Sequence, residues 1–463
     1  MRQFLQKIIT CSSVYAAITV CIFGSATYAS VKVVGYYTSW NASTLPFDKI
    51  EYSNLTHIII AFGTPNADGS ISLDTGIPFP QLVSAAHSAG TKVLISLGGA
   101  GSGTSFSSAT KDSALRASLI KNVVSFLQEN NYDGVDIDWE TPSDSAETAQ
   151  LTSLIKEMRA EFTQVDSSWL ITMAIPAGSY GGQYIDIRGL VGLVDWFNVM
   201  CYDFVGSWST YAGHNSPLYQ AQNDPNQAGS DSTAVVYWVS RGSRQISIPR
   251  NKLILGIPFY SVQFNAADLY QKLTNTTTSN PYYADVMNDL ISGWTYHWDN
   301  ICQVPYLTNI GSGQFITFED TNSVKLKVEY ALRQQLGGIM IWELSQDLYN
   351  GSQSLLETIG GTVRELTSIS PRSTVASDYR LYENYPNPFN PTTSIIYQLS
   401  SSSSVTLKVY DVLGREVKIL VNEVEEPGRY RVEFDASNLS GGTYFYRLMA
   451  GDFSQTKKML LLK

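Results

Sequence analysis

From Tyr132 to Glu140 the chain reads Tyr-Asp-Gly-Val-Asp-Ile-Asp-Trp-Glu, and after Gly134 apolar and acidic residues alternate without a break. Alternation with period two belongs to a β-strand, whose successive side chains point to opposite faces. Val135, Ile137 and Trp139 are β-branched or aromatic, the types that suit a strand. Asp136, Asp138 and Glu140 therefore share the other face. Packing does not account for such a row. Like charges on one face repel, so at least one of the three is expected to keep its proton near neutral pH. A calcium loop would carry its glycine after a run of alternating acids, whereas Gly134 precedes this one.

The stretch sits fourth in a series of strands alternating with helical segments. The strands are expected at 32–37, 56–62, 92–97, around 134–139, 170–175, 196–202, 252–259 and 338–342. Between them, 80–89, 111–129, 147–162 and 323–336 have helical spacing, with Asp112 or Ser113 capping the second and Ser323 the last. An alternating series of this count and size is that of an α/β (β/α)₈ TIM barrel. The long stretch between the seventh and eighth strands contains Tyr282, Tyr283, Trp294 and Trp298 and has room for a small α+β insertion.

Active sites of such barrels lie at the C-terminal ends of the strands. There the chain places Glu140, the segment Met200-Cys-Tyr-Asp203, Trp342, Ser96-Leu-Gly-Gly99 and Gly256-Ile-Pro-Phe-Tyr260. With Asp133-Gly-Val-Asp-Ile-Asp-Trp-Glu140, these five motifs in order resemble the family 18 glycoside hydrolases, the chitinase family, over residues 31–347. The resemblance implies Glu140 as catalytic acid, with Asp138, Asp136 and Tyr202 completing the catalytic set. It implies substrate binding by Trp342, Asp203 and Met200, to which Tyr37, Phe62 and Trp139 are added, although alternation points Trp139 away from the carboxylates. Ser96, Gly98, Gly99 and Asp133 are expected to support the carboxylate strand. Trp40, Trp208, Tyr211, Trp294 and Trp298 are candidates for cleft walls.

Geometry restricts the mechanism further. Asp138 and Glu140 leave one strand on one face, so they cannot act from opposite sides of a scissile bond as an acid and a protein nucleophile do. In the family the nucleophile is the substrate's own 2-acetamido carbonyl oxygen. The resemblance thus implies an exported chitinase that hydrolyses β-1,4-linked N-acetylglucosamine polymers or oligomers with retention. The alternatives are an endo-β-N-acetylglucosaminidase acting on N-glycan cores and a non-catalytic chitin lectin, a type that has typically lost the acid which Glu140 supplies here. No cofactor is expected.

The remaining features concern export and partners. A net charge of −10 argues against nucleic acid. Arg2 and Lys7, an apolar run from Val14 to Phe23 and small residues up to Ala29 read as a signal peptide over 1–29. That run is too short for a permanent membrane span. After it, the barrel is expected over 30–360 and a linker over 361–378. Four His at 57, 87, 214 and 297 show no metal-ligand spacing, and Cys201 with Cys302 leaves one disulfide open. Short alternating strands from 379 to 463 suggest an immunoglobulin-like β-sandwich. Leu381-Tyr-Glu-Asn-Tyr-Pro-Asn-Pro-Phe-Asn-Pro391, Val409-Tyr-Asp-Val-Leu-Gly-Arg415 and Gly441-Gly-Thr-Tyr444 in this segment resemble the C-terminal sorting domain of the type IX secretion system. It implies the secretion machinery as a partner and a secreted or cell-surface location. A monomer is expected.

Overall fold

A computed structural model describes residues 31–240, 247–289, 293–348, 353–367, 379–382, 384, 387, 389–425 and 427–461. The expected signal peptide and most of the expected linker lie outside them. The described residues form two compact units.

The first is a closed barrel of eight parallel strands: β1 (Lys32–Thr38), β2 (His57–Pro65), β3 (Lys92–Gly99), β4 (Gly134–Trp139), β5 (Leu170–Pro176), β6 (Trp196–Met200), β7 (Leu253–Pro258) and β8 (Gly338–Trp342). Each pairs with its chain neighbours, and β8 closes on β1 through Lys32↔Gly338 to Gly35↔Ile341. Period-two alternation divides every strand between two cores. Val34, Tyr36, Ile59, Ala61, Leu94, Trp196, Ile254 and Met340 fill the barrel interior. Val33, Tyr37, Val135, Ile137 and Trp139 face the surrounding helices instead. On β4, burial of the apolar face outward leaves Asp136 and Asp138 pointing into the barrel.

Side-chain caps start several of the helices that follow the strands. Asp112 accepts the Leu115 N–H at the head of Ser113–Asn130. Asp144 accepts those of Ala146 and Glu147 at the head of Ser145–Val165. The expected cap at Ser323 is displaced by one turn. Asp320 caps the helix Thr321–Arg333, and Ser323 sits at its third position, returning a bond to the Asp320 backbone. The expected linker start is also moved. The helix Ser354–Thr367 runs through residues 361–367 and buries Thr362 and Val363. Its Gly360-Gly361 pair mimics a linker in sequence, yet a Cβ on Gly360 would stand 2.4 Å from the Asn54 Oδ1. That glycine permits a close approach to a neighbouring segment.

The insertion between β7 and β8 carries a five-stranded antiparallel sheet, in the order 278–279, 262–264, 314–317, 304–309, 295–299, and the short helix Tyr283–Asp289. In the second unit, a three-stranded sheet (380–381, 392–399, 428–435) and a four-stranded one (416–425, 403–410, 442–450, 453–461) are antiparallel. They share one core containing Ile395, Tyr397, Val405, Leu407, Phe434, Tyr446 and Leu461. Among the described residues, no helix is long and apolar enough to cross a membrane.

Candidate active site

The C-terminal ends of the barrel strands surround a cavity of about 510 Å³, lined among others by Asp138, Glu140, Met200, Tyr202, Asp203 and Trp342. Its described lining contains no lysine or arginine. Glu140 stands just beyond β4. Its N–H donates to Ser102 Oγ (3.1 Å), and that hydroxyl donates to the Asp138 carbonyl (3.0 Å). Burial raises the Glu140 pKa, and the charge of Asp203 adds to the shift.

Asp136 lies at the bottom, fully buried. Its Oδ2 accepts from Tyr36 Oη (2.8 Å) and Ser96 Oγ (2.9 Å), and its Oδ1 from Thr172 Oγ1 (2.5 Å) and Asn198 Nδ2 (3.4 Å). Burial raises its pKa against the pull of these four donors. Asp138, one step nearer the cleft, has a buried Oδ1 with no hydrogen-bond partner. Its pKa is raised well above the carboxylate range, first by burial and then by Glu140 and Asp136. A buried acceptor left open costs free energy comparable to a lost hydrogen bond. The site thus offers an acceptor to a ligand N–H at this point.

The opposite wall is phenolic. Tyr202 touches Met340 Sδ through its hydroxyl (3.9 Å) and packs edge-on against Tyr260, with ring centroids 6.0 Å apart. Tyr260 donates to Asp203 Oδ1 at 2.5 Å. Asp203 adopts a left-handed backbone (φ 57°) and donates its N–H to Asn215 Oδ1 (3.0 Å). Burial raises the Asp203 pKa despite the Tyr260 hydrogen bond. An aromatic row runs along the cleft. Trp342 lies 5.2 Å from Tyr36 and 5.8 Å from Phe62, which in turn lies 6.0 Å from Trp40.

Two expected substrate contacts are corrected. Tyr37 faces the helices, where it donates to the Leu45 carbonyl (2.9 Å) and meets Phe79 edge-on. Its neighbour Tyr36 reaches the cleft, because a strand turns every second residue inward. Trp139 is buried and stacked on Phe106 at 5.0 Å with the rings 7° from parallel, outside the cleft. Phe62, Met200, Asp203 and Trp342 line the cavity as expected, and so does Trp40. Trp208, Tyr211, Trp294 and Trp298 are not part of its lining.

The supporting residues divide by task. Asp133 accepts from Val93 N (2.7 Å) and pairs with His87 (2.8 Å), tying the start of β4 to β3. Gly98 and Gly99 have φ of 115° and 89°. A Cβ on Gly98 would lie 2.1 Å from the Asp138 carbonyl, and one on Gly99 2.6 Å from the Phe62 ring. The motif ending at Tyr260 put that residue at the end of β7 without a role, and sequence reasoning missed Tyr36, Thr172, Asn198, Asn280, Tyr282 and Gln346. Inward parity on β1, β5 and β6 marks the first three. The others come from loops and carry no such signal. Cys201 and Cys302 are both buried free thiols, so the disulfide left open by the sequence is not formed.

Residues 32–347 match the family described as Glycosyl hydrolases family 18, and residues 383–462 match the Secretion system C-terminal sorting domain. The chain is 29% identical over 423 residues to Chitinase A1 of Niallia circulans, covering 74% of this chain and 60% of that protein. It is 26% identical over 403 residues to Chitinase 1 of Aphanocladium album, covering 77% of this chain and 93% of that one. Among solved structures it is similar to the Group IV chitinase of Ostrinia furnacalis in complex with allosamidin. That match has 27% identity and a TM-score of 0.66, and it covers 72% of this chain and 99% of the other.

Proposed function

This chain belongs to glycosyl hydrolases family 18, and from that premise we propose that it is an exported chitinase cleaving β-1,4-linked N-acetylglucosamine chains by substrate-assisted, retaining catalysis. The observation that carries the reading is the open Oδ1 of Asp138, buried beside Glu140. An acetamido N–H satisfies that acceptor and at the same time aims the acetamido carbonyl oxygen at the anomeric carbon. Glu140, its pKa raised by burial, is the acid that delivers a proton to the leaving glycosidic oxygen. The carbonyl oxygen attacks as that bond breaks and closes an oxazolinium ring. Asp138 passes its proton to Asp136 and so gains the negative charge that balances the positive charge developing there, and Tyr202 holds the acetamido carbonyl. Glu140, now ionised, takes a proton from the water that opens the ring.

Asp203 is the other carboxylate in the cleft and a poor nucleophile, since Tyr260 occupies its Oδ1 and burial favours its neutral form. Trp342, with Phe62 and Trp40 beyond it, gives flat apolar faces to pyranose rings. A lining without lysine or arginine suits a neutral polymer. Resemblance of residues 383–462 to a sorting domain supports export to the cell surface or beyond.

The test is to offer the full chain N-acetylglucosamine oligomers and an N-glycosylated protein, with products read by mass. Shortened oligomers are expected. Release of glycans from the protein with the oligomers left intact would replace this reading with an endo-β-N-acetylglucosaminidase.

A further inference from the structure

His214, from the segment after β6, meets Asp299 and Cys302 of the insertion, and none of the three is in the cavity lining. Each offers one ligand atom, and the three atoms lie within 4.8 Å of one another. His214 and Cys302 are buried, at 4% and 2% exposure. His214 Nε2 meets Asp299 Oδ2 at 3.1 Å, and Tyr270 Oη approaches Cys302 Sγ at 3.9 Å. The carboxylate is pre-set, because Asp299 Oδ1 accepts the N–H groups of Ile301 (2.8 Å) and Cys302 (3.0 Å). Tyr270 and Tyr306 hold the imidazole edge-on, at centroid distances of 6.4 and 5.8 Å.

We propose that His214 Nε2, Asp299 Oδ2 and Cys302 Sγ bind a zinc ion, with a water molecule or the Tyr270 hydroxyl in the fourth position. Imidazole, thiolate and carboxylate are the donors zinc takes, and a set that includes thiolate discriminates against magnesium and calcium. Zinc bonds of about 2.0–2.3 Å put tetrahedral ligands roughly 3.3–3.8 Å apart. The cluster reaches that spacing by closing on the ion by about 1 Å. Charge also balances, because Zn²⁺ meets one thiolate and one carboxylate beside a neutral imidazole.

Binding breaks the Cys302 S–H bond and forms S–Zn, and the proton leaves to solvent. Without a metal an ordinary cysteine thiol is protonated near neutral pH. The His214 and Asp299 hydrogen bond would be replaced by two metal bonds.

The ion would join the insertion to the rim of the cleft. Asp299 ends an insertion strand, whereas His214 precedes Asn215. Asn215 Oδ1 accepts the Asp203 N–H (3.0 Å) and its carbonyl the Phe204 N–H (3.1 Å). Zinc would thereby be a positioning element for Asp203, some residues removed from the chemistry.

The test uses the untagged full-length chain, stripped with a chelator and titrated calorimetrically with ZnCl₂ and MgCl₂ in buffers of different ionisation enthalpy. One zinc per chain, one proton released per zinc and no magnesium binding are expected. Cobalt(II) in place of zinc should give a thiolate-to-cobalt charge-transfer band. Cys302→Ser should remove that band and weaken zinc by more than about 100-fold, beyond the 10–100-fold typical of losing an outer partner. Cys201→Ser should change neither. The cobalt band needs no variant, so a misfolded substitution leaves the test intact. Zinc binding no tighter than about 10⁻⁴ M, or cobalt bound without the thiolate band, would overturn the site.

Discussion

Gly98→Ala tests how finely β3 sets the carboxylates of β4. At Gly98 the backbone has φ of 115°, and an added Cβ would stand 2.1 Å from the Asp138 carbonyl oxygen and 2.7 Å from the Phe106 ring. The oxygen belongs to the backbone of the facing strand, since Gly98 pairs with Asp138. It must therefore retreat by about 1 Å or more to reach ordinary contact, carrying Asp138 and Glu140 with it. Misplacement by about 1 Å costs on the order of 100-fold in rate. The left-handed backbone adds about 1–3 kcal/mol of strain for a non-glycine residue. Gly101→Ala separates the two effects, because Gly101 has φ of 80° and nothing within 4 Å of the added atom. Steady-state hydrolysis of a labelled chitin oligomer and thermal melting are the assays. We expect both variants to melt lower and only Gly98→Ala to lose kcat by about two orders of magnitude. A Gly98→Ala enzyme within about 2-fold of wild type, or equal loss in Gly101→Ala, would refute the clash argument.

Further outcomes are expected from the same structure. Tyr36→Phe removes one of the four donors to Asp136 and should lower kcat by about 10-fold, the equivalent of about 1.4 kcal/mol, whereas Tyr37→Phe should leave kcat unchanged while lowering the melting temperature. Burial raises the Asp347 pKa to about 7 in the folded chain, against about 3.9 in the unfolded one. Its contribution to stability is thus present below about pH 4 and lost as pH rises through about 7, and Asp347→Asn should flatten that part of the melting-temperature profile; a parallel profile would contradict it. A chain ending at Ser370 should keep its activity on oligomers but lose surface localisation, as followed by cell fractionation, since the last described helix of the unit containing the barrel ends at Thr367. Loss of soluble folding would show that the second unit is required by the first.

The barrel and the carboxylate strand were legible because both rest on local periodicity. Burial of Val135, Ile137 and Trp139 on one side of β4 forces Asp136 and Asp138 to the other, and that much is written in nine residues. The exchange of Tyr36 for Tyr37 is a parity error of one residue on β1, where two tyrosines adjoin and only the inward register decides between them. Ser323 reads as a cap because the serine stands in a capping box that Asp320 begins. The sequence pattern could not reach contacts between distant segments. His214 lies far from Asp299 and Cys302 along the chain, and bonds from its segment to the insertion, Asn215 N–H to Thr317 Oγ1 (3.0 Å) and Leu218 N–H to the Cys302 carbonyl (2.9 Å), bring them together. Tyr260 and Tyr282 enter the cleft from loops whose course follows from that same insertion.

Substrate assistance is tested most directly by the configuration of the first product. Nuclear magnetic resonance on a soluble N-acetylglucosamine oligomer should show the β-anomer forming first, with the α-anomer appearing only by mutarotation. Under the same conditions fully deacetylated chitosan should remain uncut, and Glu140→Gln should stop turnover while still binding the oligomer, because its amide has no proton of carboxylic acidity to give. A first-formed α-anomer, or brisk cleavage of the deacetylated polymer, would contradict the role given to the acetamido group and to Asp138.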